Sequence, residues 1–276
     1  MPSPLARRRA GREPSVRRRR GLPAGAPPAI LPAMSRRIAP AALAALALAA
    51  CAAPPGPDAP APERGALPER VTLFRPEGAL EDGWRIFRVW READVALAPL
   101  GERVAIRAAA EGASAGVGLY REIDVGNCPV VEWTWRVDAL PETAALASRE
   151  AEDMAASILF IFGDPVSLTM PRPVPTLRYV WATEEDPEGT VADSPYVPGV
   201  IRSLVVRSGP DRLGETVTER RDLAADFERA FGRPPEGPVE VIALYTDSDH
   251  GESPVEAFYL GADALCAEPV IEDLIL

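Results

Sequence analysis

Ile158-Leu159-Phe160-Ile161-Phe162 and Val239-Glu240-Val241-Ile242-Ala243-Leu244-Tyr245 decide the fold. Both runs are short, rich in β-branched or aromatic residues, and apolar on nearly both parities. Such runs suit strands in the middle of a sheet that is covered on both faces. Around them stand further alternating or β-rich runs at 84–91, 103–108, 116–123, 130–137, 177–181, 200–206, 217–221 and 257–260. Turn residues separate them. One helix is expected. Asp222 is a suitable N-cap, Leu223, Phe227 and Phe231 recur every fourth residue, and Gly232 ends the run. About ten short strands with one short helix predict an all-β fold, an antiparallel β-sandwich of jelly-roll type.

The chain of 276 residues does not all belong to that domain. Arg36-Arg37 precedes an alanine-rich apolar run that ends at Leu48-Ala49-Ala50-Cys51. Basic residues, a short apolar core and a small-residue cleavage site make a secretory signal. The cysteine at the cut makes it resemble a bacterial lipoprotein signal, in which the thiol receives lipid. Spanning a bilayer takes about 20 predominantly apolar residues, more than this run supplies. Met34 is the expected start, 34–50 the signal, and 1–33 an artefactual or disordered basic extension. Residues 51–69 hold six prolines and read as an extended tether. The sandwich should span 70–268, with 269–276 a tail. Because Ala52 follows the cysteine, the expected location is the periplasmic face of the outer membrane, with the bilayer engaged through the acylated N-terminus.

Charge narrows the partners. Beyond residue 50 the chain carries 20 arginines, no lysine and 40 acidic residues. That balance argues against nucleic acid, which needs a positive footprint. It also argues against electrostatic adhesion to anionic lipid, and it is compatible with cation binding. With Cys51 assigned to lipid, Cys128 and Cys266 remain as an even pair for an oxidising compartment. There is no Cys-x-x-Cys pattern, and His250 is the only histidine, so a zinc site of the usual nitrogen and sulfur ligands is not expected.

Trp133-Thr134-Trp135-Arg136-Val137 resembles the Trp-x-Trp-Arg/Lys-Val core of the bacterial domain-of-unknown-function family 3047. Gly83-Trp84, Glu152-Asp153, Leu177-Arg178-Tyr179-Val180-Trp181-Ala182, the helix from Arg221-Asp222 to Phe231-Gly232, Thr246-Asp247-Ser248-Asp249 and Ala257-Phe258-Tyr259 follow in the same order as its landmarks. The chain departs from the family pattern at Met154, Ser157, Thr216 and Leu260-Gly261, so the resemblance is to a divergent member. It implies no established activity.

Asp247, Asp249 and His250 form the densest polar cluster, at the end of an apolar strand where sites gather. Asp247 and Asp249 are candidate calcium ligands; a plain turn is the alternative. Asp153, just before a central strand, is their candidate partner, or else a loop carboxylate. Trp133 and Trp135 share the core parity of their strand. Glu132 and Arg136 share the other and could line a concave face, as could Arg178. The arginines belong either to a buried ion network or to a binding surface. The resulting functional expectation is an exported, lipid-anchored protein with a binding or structural role at the cell envelope, its ligand a glycan by analogy of fold alone. The alternative is a glycosidase-like hydrolase using Asp153 with Asp247 or Asp249.

The signal reading predicts that Cys51 is acylated and everything before it removed. The intact mass of membrane-extracted protein should correspond to a lipid-bearing chain beginning at Cys51; a mature protein retaining Met34 would falsify this.

Overall fold

A computed structural model of the chain describes residues 69–78, 83–91, 93–165 and 173–267. Cys51, the proline-rich tether and the C-terminal tail lie outside the described residues. In chain order the strands are β1 (Glu69–Phe74), β2 (Arg85–Trp90), β3 (Asp94–Leu100), β4 (Arg103–Ala110), β5 (Ser114–Ile123), β6 (Val130–Ala139) and β7 (Met154–Phe162). There follow β8 (Thr176–Ala182), β9 (Val191–Asp193), β10 (Ile201–Ser208), β11 (Val217–Asp222), helix α1 (Leu223–Phe231), β12 (Val239–Asp247) and β13 (Val255–Cys266).

The strands form two sheets. One runs β11-β6-β13-β4-β3, with β1 pairing the far half of β13; the other runs β2-β5-β12-β7-β8-β10-β9. Strands β4 to β7 alternate between the sheets. The last two strands then insert among them, β12 between β5 and β7 and β13 between β4 and β6. That wrapping is a β-sandwich of jelly-roll type. The two runs apolar on both parities are β7 and β12, neighbours in the middle of the larger sheet. One pair departs from the antiparallel expectation: β8 and β10 are parallel. The segment between them carries β9 to the sheet edge, antiparallel to β10, and β10 slots in between. A parallel neighbour needs such a crossover rather than a hairpin.

Inward parities meet in an aromatic layer. Trp133 and Trp135 of β6 are essentially inaccessible, as are Tyr179 and Trp181 of β8 and Tyr259 of β13. Trp133 stacks on Tyr179 across the sandwich with ring centroids 5.0 Å apart, and Trp135 meets Trp181 at 6.0 Å and Tyr259 at 6.5 Å. The Tyr259 hydroxyl cannot stay unpaired in this layer. It accepts from Ser157 N at 3.0 Å and faces the carbonyl oxygens of Ser157 at 3.2 Å and Tyr245 at 3.4 Å. These groups flank a register shift, where Tyr245 pairs Ser157 but Asp247 pairs Met154. The extra residue of that bulge lets both Ala155 and Ala156 join the inner core while Met154 joins a second cluster with Val180 and Val205.

Helix α1 forms as its caps require. Asp222 accepts from Ala225 N at 2.9 Å, and Gly232 adopts φ 71° while its N–H returns to Glu228 O at 2.8 Å. Phe227 is buried between Phe162 and Phe231, each 4.4 Å away by ring centroid. Asp226 accepts both Arg221, at 2.8 and 2.7 Å, and the Tyr179 hydroxyl, at 2.9 Å, so the helix is tied to the aromatic layer by polar bonds as well. At the same end of β6 and β13, where Leu223 N donates to Pro129 O at 2.7 Å, Cys128 and Cys266 are joined by a disulfide (S–S 2.08 Å).

Phe227→Ala should empty a space that its ring neighbours cannot fill, costing about 3–5 kcal/mol. Urea denaturation of the two proteins measures this. A loss below about 1 kcal/mol would mean that the helix does not cover the core.

Candidate functional site

Pairing of Asp247 with Met154 brings the end of β12 beside the start of β7, so Glu152-Asp153 and the turn at 247–251 meet. The turn is built by its own polar groups. Asp249 N donates to Asp247 Oδ1 at 3.2 Å, Ser248 N to Ala113 O at 3.1 Å, and Ser248 Oγ to Ser253 O. Asp153 is 2% exposed. Its Oδ1 accepts from His250 N at 3.2 Å and its Oδ2 from Gly251 N at 2.6 Å. The fit leaves little space at Gly251, where a Cβ would stand 3.1 Å from Asp153 Oδ2.

His250 occupies the centre. Its Nδ1 lies 3.2 Å from Asp153 Oδ1 and 2.8 Å from Asp249 Oδ1. Its Nε2 lies 2.6 Å from the Tyr196 hydroxyl, which reaches Arg149 O at 2.7 Å. The Arg149 guanidinium covers the Tyr196 ring at 4.7 Å. One donor atom from each of Asp153, Asp249 and His250 lies within 4.8 Å of the others. This set differs from the calcium pair expected from sequence. It keeps Asp249 and replaces Asp247 by Asp153 and His250; the Asp247 oxygens accept from Asp249 N and, at 3.0 Å, from the Tyr245 hydroxyl.

Beside the turn lies a cleft of about 410 Å³ on the outer face of the larger sheet. Leu159 and Arg178 floor it, Tyr245 and Asp247 flank it from β12, Asp249 and His250 from the turn, and Tyr196 and Val197 from the loop before β10. Arg178 is buried and paired, with Nε donating to Ser203 Oγ at 2.8 Å and Nη2 bonded to Glu152. The second Glu152 oxygen accepts from Ser194 Oγ at 3.3 Å. A larger depression of about 490 Å³ lies between residues 140–145 and 183–185. Its titratable lining is Glu142, Glu184 and Glu185, with no cation, aromatic ring or histidine, so the mixed polar and aromatic groups gather in the smaller cleft.

The structure thus brings together Asp153, Arg178, Asp247, Asp249 and His250. It does not bring Glu132 or Arg136 to them. Strand β6 belongs to the other sheet, and its polar parity faces outward there. Glu132 accepts from Arg70 at 2.7 Å. Arg136 pairs with Asp138 and lies 6.0 Å over the Phe258 ring. Glu152, Tyr196, Ser203 and Tyr245 are additions. Tyr245 was signalled by sharing Asp247's parity, and Glu152 by the need of a buried arginine for a partner. Tyr196 sits in a loop that carries no pattern.

Burial, then the neighbouring Asp249 and Asp153 carboxylates, push Asp247 up to about 7 against the pull of the Asp249 N–H and Tyr245 hydroxyl. Burial likewise pushes the Tyr245 phenol upward.

The family described as "Protein of unknown function (DUF3047)" matches residues 82–261, and the chain belongs to it. No curated protein matches the sequence. Among solved structures, the chain is similar to the carbohydrate recognition domain of Emp47p at 12% identity and a TM-score of 0.36, over 67% of this chain and 89% of that one. It is similar to a loop-swap mutant of Necallimastix patriciarum Xyn11A at 9% identity and 0.33, over 71% and 91%. It is also similar to the glycoside hydrolase domain of Endo-D from Streptococcus pneumoniae R6, at 6% identity and 0.35, over 66% of this chain. The chain spans about a fifth of that protein's length, 21%. Scores of this size transfer no activity, and the architecture rests on the strand order.

An aspartate near 7 in the folded protein stands near ~3.9 once unfolded. Between those values the folded protein holds a proton that the unfolded chain has lost. The stabilisation is therefore complete below about pH 4 and disappears as pH rises through about 7. In chelator-treated buffer, the stability of the wild type relative to Asp247→Asn should fall from pH 5 to pH 8 in urea titrations. A difference that stays flat across this range would show that Asp247 ionises normally.

Proposed function

We propose that this DUF3047 domain is a binding module whose cleft takes a neutral, hydroxyl-rich ligand, a glycan. We place it at the cell envelope, exported and held by lipid on Cys51. The observation that supports the reading is the convergence on one cleft of two tyrosine rings, Tyr196 and Tyr245, with fixed polar groups on Arg178, Asp247 and His250. Rings offer flat apolar faces for a sugar's C–H surface, and carboxylates and hydroxyls offer acceptors for its O–H groups. Charge disfavours an anionic ligand. Arg178 is already neutralised by Glu152, and Asp247 and Asp249 leave the wall acidic. The export and anchoring part rests on residues 34–51 alone.

Hydrolysis is the second reading, and one observation favours it. A carboxyl held near 7 is poised as a general acid at neutral pH. Asp153 does not serve as its partner in this reading, because it does not line the cleft. Asp249 then remains as the second carboxylate.

Calorimetric titration of the full chain with soluble cello-, xylo-, malto- and chito-oligosaccharides separates the readings. Binding of at least one series is expected, weakened by on the order of tenfold or more, ~1.4 kcal/mol, in Tyr196→Ala. Reducing ends should not accumulate. Failure of every series to bind overturns the glycan reading, and release of reducing ends that is lost in Asp247→Asn establishes the hydrolase instead.

A further inference from the structure

The hydrogen bonds around His250 can be counted atom by atom. Tyr196 has one hydroxyl hydrogen, and it points to the carbonyl oxygen of Arg149 at 2.7 Å, which can only accept. The contact at 2.6 Å between the same hydroxyl oxygen and His250 Nε2 must then be a ring N–H donating to Tyr196. A neutral imidazole with its hydrogen on Nε2 carries a lone pair on Nδ1. That lone pair faces two carboxylate oxygens, Asp153 Oδ1 at 3.2 Å and Asp249 Oδ1 at 2.8 Å. Three electron-rich atoms pointed at one another repel unless a positive charge lies between them.

A second observation concerns the surroundings of the same oxygen. Asp249 Oδ1 is sealed from solvent and has no hydrogen-bond donor among the described residues. A buried carboxylate oxygen left so is costly. Among the described residues no arginine pairs with Asp153, Asp247 or Asp249, whereas the neighbouring Glu152 has Arg178.

The geometry points to a divalent transition-metal site formed by Asp153 Oδ1, Asp249 Oδ1 and His250 Nδ1, with zinc as the ion its chemistry fits best. Oxygen and imidazole donors about 2.0–2.2 Å from a zinc ion lie roughly 3–3.5 Å from one another. The observed spacings, from 2.8 Å to within 4.8 Å, bracket that range. The imidazole donor distinguishes the site from a calcium site, which takes oxygen ligands alone. The chain Nε2–H to Tyr196 to Arg149 O is the outer support that a metal-binding histidine ordinarily has: it fixes the tautomer and the ring plane. Asp249 and His250 both line the cleft. The position left open by three protein ligands therefore faces the cleft, where water or a ligand hydroxyl can complete the shell. The site does not depend on the glycan reading, and it can be tested without any sugar.

The test uses the full chain, stripped with chelator and dialysed against Zn²⁺, Mn²⁺, Ca²⁺ or Mg²⁺, with bound metal counted by atomic emission and affinity measured by calorimetry. One Zn²⁺ per chain is expected, bound at least about 100-fold more tightly than Ca²⁺. His250→Ala and Asp249→Asn should each weaken zinc by about 100-fold or more, and Tyr196→Phe by about 10–100-fold. Substituted Co²⁺ should give visible d–d bands that vanish in His250→Ala. His250 and Asp249 lie in a partly exposed turn, and near-UV circular dichroism confirms that each variant remains folded. Absence of zinc binding by the wild type overturns the site, as does undiminished affinity in folded His250→Ala or equal affinity for Ca²⁺.

Discussion

Two sheets can share a face only if the side chains between them fill the gap, about 10 Å from sheet to sheet. Here the gap is filled by indole and phenol rings, and the rest of the molecule depends on that layer. Trp133 and Trp135 dictate which parity of β6 is inner, and Tyr179 and Trp181 do the same for β8. Once those parities are set, Arg178 has no choice but the outer face of its sheet. The layer also reaches the site directly. The Tyr259 hydroxyl, carried on the opposite sheet, is bonded to the backbone where β7 slips register against β12. Beyond the slip, Met154 points outward where strict alternation from Ser157 would turn it inward, and Asp153 follows into the turn. The placement of the buried carboxylate thus traces back to a phenol in the core of the sandwich.

The outer face is organised by charge rather than by volume. Taking both Arg178 and Glu152 out of water costs several kcal/mol per ion, recovered only if the pair is close and its remaining hydrogen-bonding groups are satisfied. Ser203 and Ser194 provide that satisfaction. Among the described residues no arginine pairs with the acidic turn next to it, and burial there pushes the Asp247 carboxyl upward. Two neighbouring solutions to the same electrostatic problem therefore coexist: a matched pair that is inert, and an unmatched group that is responsive.

Much of this was legible in the sequence. The runs at 158–162 and 239–245 announced the central strands because burial on both faces removes polar residues from both parities. Helix α1 was legible because its caps are local. Strand β3 was not: Ala96, Ala98 and Pro99 have little preference for extended structure, and an edge strand tolerates them. The length of β13 was hidden by Gly261 and its alanines. For the site, parity correctly separated polar from apolar positions but cannot say which sheet a strand will join. That is why Glu132 and Arg136 looked equivalent to Arg178 and lie on the far side. Tyr196 was illegible for a different reason, since its role comes from a loop folded across the sheet and no local pattern encodes such a contact.

The direction of β13 has a consequence for presentation. Its last residue, Cys266, pairs with Glu69 at the start of β1 and is bonded to Cys128. Its first, Val255, follows the turn that carries Asp249 and His250. Twelve strand residues span roughly 35–40 Å, so the domain has poles. Chain enters and leaves at one, stapled covalently, while the acidic turn crowns the other. The first and last described residues, Glu69 and Ala267, therefore leave that turn clear of the covalent neighbours of the domain's ends.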